Sequence, residues 1–146
     1  MIEATFGEKL PNETYVDRKG VYAIIINENQ EVACVKIPHG YFLPGGGLEG
    51  DENHPTCLKR ECIEELGWDI KINEYVGCAD NYHYSIYRHK YLHSISYFYL
   101  ATQLEKVAVP IELDHELVWL PIQECLEKLF LKHQAYAVEK AVKMQF

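Results

Sequence analysis

Two β-rich runs open the apolar pattern of the chain, residues 21–27 (VYAIIIN) and 31–37 (EVACVKI), separated by the polar Glu28-Asn29-Gln30. Runs this short, bounded by polar residues, predict the two strands of a hairpin. Residues 1–19 are mixed and polar, with a turn at Pro11-Asn12, and predict an edge segment or short strand. Tyr41-Phe42-Leu43 predicts another short strand, ended by Pro44-Gly45-Gly46-Gly47. From about residue 55 to residue 66 the spacing becomes helical. Pro55 suits the first turn, Asn53 or His54 the cap, and Gly67 a left-handed exit. Strand-like segments follow at 69–80 and 94–102, flanking an aromatic, basic stretch from Tyr82 to His93. Residues 116–120 predict a strand, Pro121 the start of a helix, and residues 133–144 a final helix. Strands interleaved with helices predict an α/β layered domain with a mixed sheet.

At 146 residues the chain is expected to form one domain, 1–146, with a sizeable core. A net charge of −8 leaves no basic stripe for nucleic-acid phosphates, so no nucleic-acid binding is expected. No apolar run is long enough to span a bilayer or form a signal-peptide core, which points to the cytoplasm and to no membrane partner. The five cysteines are odd in number and form no C-x-x-C pair, so neither a disulfide framework nor a zinc site is suggested.

On a helix over 55–66, Leu58, Cys62, Ile63 and Leu66 fall on one broad arc, the predicted packing stripe. Glu61, Glu64 and Glu65 fall on another, at i, i+3 and i+4. Like charges at that spacing destabilise a helix by roughly 0.2–0.5 kcal/mol per pair. The helix dipole adds about 0.3–1 kcal/mol against each anion near the C-terminal end. A divalent cation beside them reverses both effects, and hard carboxylate ligands suit Mg²⁺, with Mn²⁺ as the alternative. A solvated acidic face is the competing reading of three glutamates alone. The register around them argues against it, because Gly46, Glu52, Arg60 and Gly67 stand at fixed offsets from the same cluster. Arg60 is placed to pair with Glu52 and tie the preceding loop to the helix.

The register Gly46, five residues, Glu52, seven residues, then Arg60-Glu61-Cys62-Ile63-Glu64-Glu65-Leu66-Gly67-Trp68 resembles the Nudix box. Cys62 and Trp68 stand where that family usually has an aliphatic residue. The resemblance implies a Nudix-type α/β/α sandwich with a central mixed β-sheet. It also implies Mg²⁺-dependent hydrolysis of a pyrophosphate linkage in a nucleoside diphosphate derivative, a MutT-like small-molecule reaction. By position, Glu61, Glu64, Glu65 and the carbonyl of Gly45 match the family's metal ligands, and Arg60 its orienting arginine, with Glu61, Glu64 and Arg60 the catalytic set. Gly46, Glu52 and Gly67 are structural in the motif. A further general base is used in some members, and Glu112, Asp114, His115 and Glu116 crowd the corresponding loop. The rival reading is a catalytically silent Nudix domain that senses a nucleotide.

Arg18, before the first core strand, and Lys36, near the end of the second, are candidates for substrate phosphates. The stretch from Tyr82 to His93 reads as a hairpin with cross-strand aromatics and a solvated basic tip, or as a surface that stacks a base. The last helix reads as packing, with a homodimer contact as the alternative. No H-E-x-x-H, Walker-type or dinucleotide motif is present.

Overall fold

The computed structural model of the chain describes residues 1–111 and 114–145. Its elements in order are β1 (Thr5–Phe6), β2 (Val16–Ile24), β3 (Glu31–Ile37), β4 (Gly40–Phe42), β5 (Gly45–Gly47), α1 (His54–Leu66), β6 (Trp68–Ser85), β7 (Lys90–Lys106), β8 (Glu116–Pro121), α2 (Ile122–Lys128) and α3 (Lys132–Gln145). A five-stranded mixed sheet runs β1-β6-β7-β2-β5, and a three-stranded antiparallel sheet runs β4-β3-β8. β2 lies parallel to β7 and antiparallel to β5.

Helices cover both sides of this layer, and the strands alternate between them. Val21, Ala23, Ala33 and Val35 join Cys57, Leu58, Cys62 and Leu66 of α1 in one buried cluster. Tyr22, Ile24, Val32 and Cys34 point the other way, into a cluster with Cys125 of α2 and Ala137, Val138 and Ala141 of α3. This is the α/β/α sandwich that the box implies. Trp68 is buried and stacks on Trp119 of β8 at 6.0 Å between ring centroids. The two departures from the family's aliphatic positions, Cys62 and Trp68, are therefore both absorbed in the core.

Three expectations change in detail. The predicted hairpin of 21–27 and 31–37 keeps its turn, closed by Asn27 N–H to the carbonyl of Glu31 and Ala33 N–H to that of Ile25. Beyond it the strands part, β2 into the five-stranded sheet and β3 into the three-stranded one. The glycine run expected only as a turn is strand β5, paired with β2 through Gly45↔Tyr22, Val21↔Gly46 and Gly20↔Gly47. A side chain at Gly45 would strike the backbone of Val21 and Tyr22, so only glycine permits that pairing. Finally, the segments 69–80 and 94–102 are parts of one long hairpin, β6–β7, that takes in the aromatic stretch. Tyr84 pairs with Tyr91 and Tyr82 with His93, and Arg88, His89 and Lys90 are exposed at the tip.

α1 carries the expected signals. Asn53 caps it through Oδ1, which accepts from Thr56 N–H, and Gly67 leaves at φ 75°. A Cβ on Gly67 would collide with the carbonyl of Ala108, so the residue is held by both dihedral and space. Among the described residues no helix is long and apolar enough to cross a membrane.

Candidate active site

The arc of α1 that faces the sheet holds three of the four residues expected there, Leu58, Cys62 and Leu66, but is turned away from Ile63. Cys57, Leu58, Cys62 and Leu66 are buried, whereas Ile63 is only partly covered and lies outside the core. The inner arc is completed by Glu65, 8% exposed, and by Glu61, whose side chain is 15% exposed. Two of the three carboxylates thus point inward against β5 instead of out into water. The glycines there make room for them. Gly45 N–H donates to Glu65 Oε1 at 2.9 Å, and a Cβ on Gly46 would occupy the place of the Glu61 carboxylate.

Arg60 ties this face together. Its Nε and Nη2 donate to the two oxygens of Glu52 at 2.7 and 2.9 Å, a bidentate pair, and Nη2 also donates to the carbonyl of Gly47 at 3.1 Å. Nη1 reaches Glu64 Oε1 at 3.2 Å and stands 3.5 Å from Glu61 Oε1. One guanidinium therefore joins the 47–52 loop to the helix. It holds the Glu52 carboxyl down at about 2. Glu61 goes the other way, pushed up to about 7 by burial first and then by Glu65, with Glu64 adding and Arg60 and Arg18 opposing. A group held that far from its ordinary range by burial and neighbouring anions is one that a cation would return to the charged form.

A divalent ion fits this donor set in type and charge. Glu61, Glu64, Glu65 and the backbone of Gly45 are hard oxygen donors that line one cavity of about 810 Å³. Among the described residues no three acidic, imidazole or thiol side chains already stand at ligand spacing, so the fit is chemical and not a preset shell.

The cavity runs from these carboxylates to the tip of the β6–β7 hairpin. Arg18 lines it and donates from Nη1 to the Tyr22 hydroxyl at 3.2 Å, close to Gly47 and within electrostatic reach of Glu61. Phe42, Phe130, Leu131 and Leu92 supply apolar wall, and His83 and Ser85 supply polar wall. Tyr87 arches over from the hairpin tip to meet the His39 ring, with Asp114 close enough to raise its phenol further after burial. Arg18 is expected here from the sequence, and the stretch from Tyr82 to His93 is offered there as a surface that stacks a base. Phe42, Phe130 and Leu131 were missed, because they come from separate parts of the chain and carry no local signature.

Lys36 is a correction. It is exposed, packs over the Tyr41 ring at 5.9 Å and lies outside the cavity lining, so it is not brought together with the carboxylates. β3 presents Val35 to the α1 side, and the next residue is turned away by strand alternation. In the loop before β8, His115 Nδ1 lies 3.1 Å from Glu65 Oε2, and Asp114 lies 3.8 Å from the other ring nitrogen. Glu116 is exposed at the start of β8, opposite Lys36. Glu112 lies outside the described residues.

Known proteins agree with this architecture. The NUDIX domain profile matches residues 16–141. A Bacillus subtilis (strain 168) protein provisionally named an 8-oxo-dGTP diphosphatase is 27% identical over 81 residues, 53% of this chain and 54% of that protein. The chain thus spans about half the length of the curated relative it matches. The crystal structure of a MutT NUDIX hydrolase from Burkholderia pseudomallei superposes with a TM-score of 0.65 at 24% identity, over 86% of this chain and 98% of that one. A mutator MutT protein from Bacillus halodurans gives 0.66 at 21% identity, over 84% and 80%. With the box complete, its carboxylates gathered on one cavity and the domain profile covering most of its length, this chain belongs to the NUDIX family.

Proposed function

We propose that this chain is a Mg²⁺-dependent hydrolase, with Mn²⁺ as the alternative ion, that cleaves a pyrophosphate linkage in a nucleoside diphosphate derivative. The observation that carries the reading is the inward pair Glu61 and Glu65, with Glu64 beside them, at one end of a cavity that also holds Arg18. Glu61, Glu64, Glu65 and the Gly45 carbonyl would hold the ion. When bound, it supplies neutralisation of phosphate oxygens and acidifies water.

The chain's own residues supply position. Arg60 fixes the loop against the helix, so the carboxylates do not swing when charge builds on phosphorus. Arg18 meets phosphate oxygens further along the cavity. The walls from Phe42, Phe130 and Leu131 take the apolar faces of a base. Water attacks one phosphorus of the linkage, and the P–O bond to the leaving phosphate, pyrophosphate or nucleotide breaks. Five free, buried thiols support a reducing compartment, and we assign the protein to the cytoplasm.

The test is product mass from a panel of nucleotides, with and without Mg²⁺, in wild type and Glu64→Gln. The name of the Bacillus subtilis relative puts 8-oxo-dGTP first in that panel. Turnover that needs both the ion and Glu64 is expected. Nucleotide binding without turnover on any substrate would overturn hydrolysis and leave a sensing domain.

A further inference from the structure

Between β4 and β5 the chain leaves the three-stranded sheet and joins the five-stranded one, and the crossing is Leu43-Pro44. Backbone donors at such a crossing have no strand neighbour, and a buried N–H without a partner is costly. Pro44 has no N–H, and its carbonyl takes the N–H of Ala23 at 2.8 Å. The donors on either side of it go to side chains. Leu43 N–H donates to Gln134 Oε1 of α3 at 2.9 Å, and Gly45 N–H donates to Glu65 Oε1 of α1 at 2.9 Å. Both bonds are buried, and Gln134 itself is fully enclosed.

The same segment is held to the α2–α3 side at a second point, where Phe130 N–H donates to the carbonyl of Tyr41. It is a short rigid strap. Pro44 fixes one dihedral in it, and the walls at Gly45 leave no space for a side chain. Its two ends are set by a glutamine in the core and by a carboxylate of the site.

We propose that Gln134 is a positioning residue for Glu65, acting through the Leu43-Pro44-Gly45 backbone. The proposal rests on the reading that Glu65 helps to hold a divalent ion. Gln134 touches neither ion nor substrate. Its acceptor oxygen fixes the height of Leu43, Pro44 transmits it, and the Gly45 amide then fixes one oxygen of Glu65. The other oxygen stays with His115. Losing the Gln134 acceptor frees Leu43 N–H to seek a new partner and shifts the amide that orients the ligand.

The experiment uses Gln134→Met, which keeps length and bulk but loses the acceptor, and Gln134→Glu, which keeps an acceptor at the same reach. Two readouts are taken well below the melting temperature: hydrogen exchange of the Gly45 amide in the metal-free protein, and Mn²⁺ affinity by titration. In Q134M the Gly45 amide is expected to exchange at least about tenfold faster, and Mn²⁺ to bind roughly tenfold more weakly, as for other partners of a ligand. Nucleotide KM is expected to change less than kcat, because Arg18, which meets the phosphates, lies on β2 outside the strap. Q134E, compared at pH 5, where a carboxyl enclosed this fully keeps its proton and its carbonyl oxygen still accepts, should hold Gly45 protection near wild type. A Q134M protein that melts earlier but keeps wild-type exchange at Gly45 and wild-type Mn²⁺ affinity would overturn the proposal and leave Gln134 as packing. Equal loss of protection in Q134M and Q134E would overturn it too. If wild type binds no Mn²⁺, the hydrolase reading fails. Gly45 exchange then still decides whether Gln134 sets the strap.

Discussion

Adding one methyl group at Gly46 or at Gly45 separates the chemistry of the site from its folding. At Gly46 the backbone is not in the left-handed region, so alanine is sterically allowed by its dihedrals. The three atoms nearest to a Cβ there all belong to the carboxylate of Glu61, with Oε1 at 2.8 Å and the other two nearer still. That is the free end of a flexible side chain. Moving it off its rotamer costs about 0.5–1.5 kcal/mol. The stiffer unfolded chain of a Gly→Ala change returns about 0.4–1 kcal/mol. Gly46→Ala should therefore keep stability within about 1 kcal/mol of wild type, by that difference. The carboxylate, however, must leave its place, and a misplacement on the order of 1 Å costs about a hundredfold in rate. Gly45→Ala is the contrast. Its Cβ meets the carbonyl of Val21 and, at 2.7 Å, the Cα of Tyr22, at a φ of 143°. Backbone strain of about 1–3 kcal/mol and overpacking of similar size add there, so it should unfold far more easily. Urea melts give the stabilities, and Mn²⁺ titration, with hydrolysis of whichever nucleotide of the panel the wild type turns over, gives the function. A G46A protein with full Mn²⁺ affinity and turnover, or one as unstable as G45A, would refute the reasoning.

Three further outcomes follow from the same geometry. With chelator present, Glu61→Gln should stabilise the protein at pH 8 by up to about 3 kcal/mol, because the folded carboxyl titrates at about 7 against 4.5 unfolded. That gain should be nearly gone by pH 4.5, where the folded carboxyl holds its proton and the unfolded one is half protonated, and paired urea melts check it. His133 is fully buried, its Nε2 2.9 Å from the Ser96 hydroxyl, and burial pushes it down to about 3. Its contribution is intact above pH 6.5 and is lost as pH falls towards 3. Wild type should thus lose about 2 kcal/mol more than His133→Gln between pH 7 and pH 5. Arg60→Lys keeps the charge but not the fork that grips both Glu52 oxygens, and should lower Mn²⁺ affinity about ten- to a hundredfold in calorimetry.

The site was legible in the sequence because its residues are local. Glu61, Glu64 and Glu65 share one helix, and Arg60 reaches back only to Glu52 and Gly47, so offsets along the chain stand for distances in space. The caps of α1 were legible for the same reason, since Asn53 and Gly67 act within one turn of the ends they close. What failed depends on tertiary geometry. No pattern in residues 21–37 says that the strands of a hairpin will divide between two sheets. A single run such as Gly45-Gly46-Gly47 looks the same as a turn or as a strand with no room beside it. Lys36 was misplaced because position near a strand end does not fix which face a side chain takes. Gln134 lies 91 residues from the amide it receives, and a glutamine amid helical spacing signals nothing.

The direction of the carboxylate arc carries the broader consequence. A helix with Glu61 and Glu65 on its exposed side would be more stable, and its apolar stripe would simply extend through Ile63. Instead Ile63 is left at the margin, and the two carboxylates take core-facing positions beside Leu58 and Cys62. The compensations are all specific. Gly46 yields its side-chain volume to Glu61, Gly45 gives its amide to Glu65, and Arg60 crosses the outer edge to Glu64 and Glu52. Local preference and global packing agree through most of the chain and conflict in this one half-turn, which is where conflict marks function and not poor design. An ordinary acidic surface would need none of these devices. Their joint presence supports the proposal of a cation-binding helix over a solvated one, and the two Gly→Ala substitutions bear on that distinction directly.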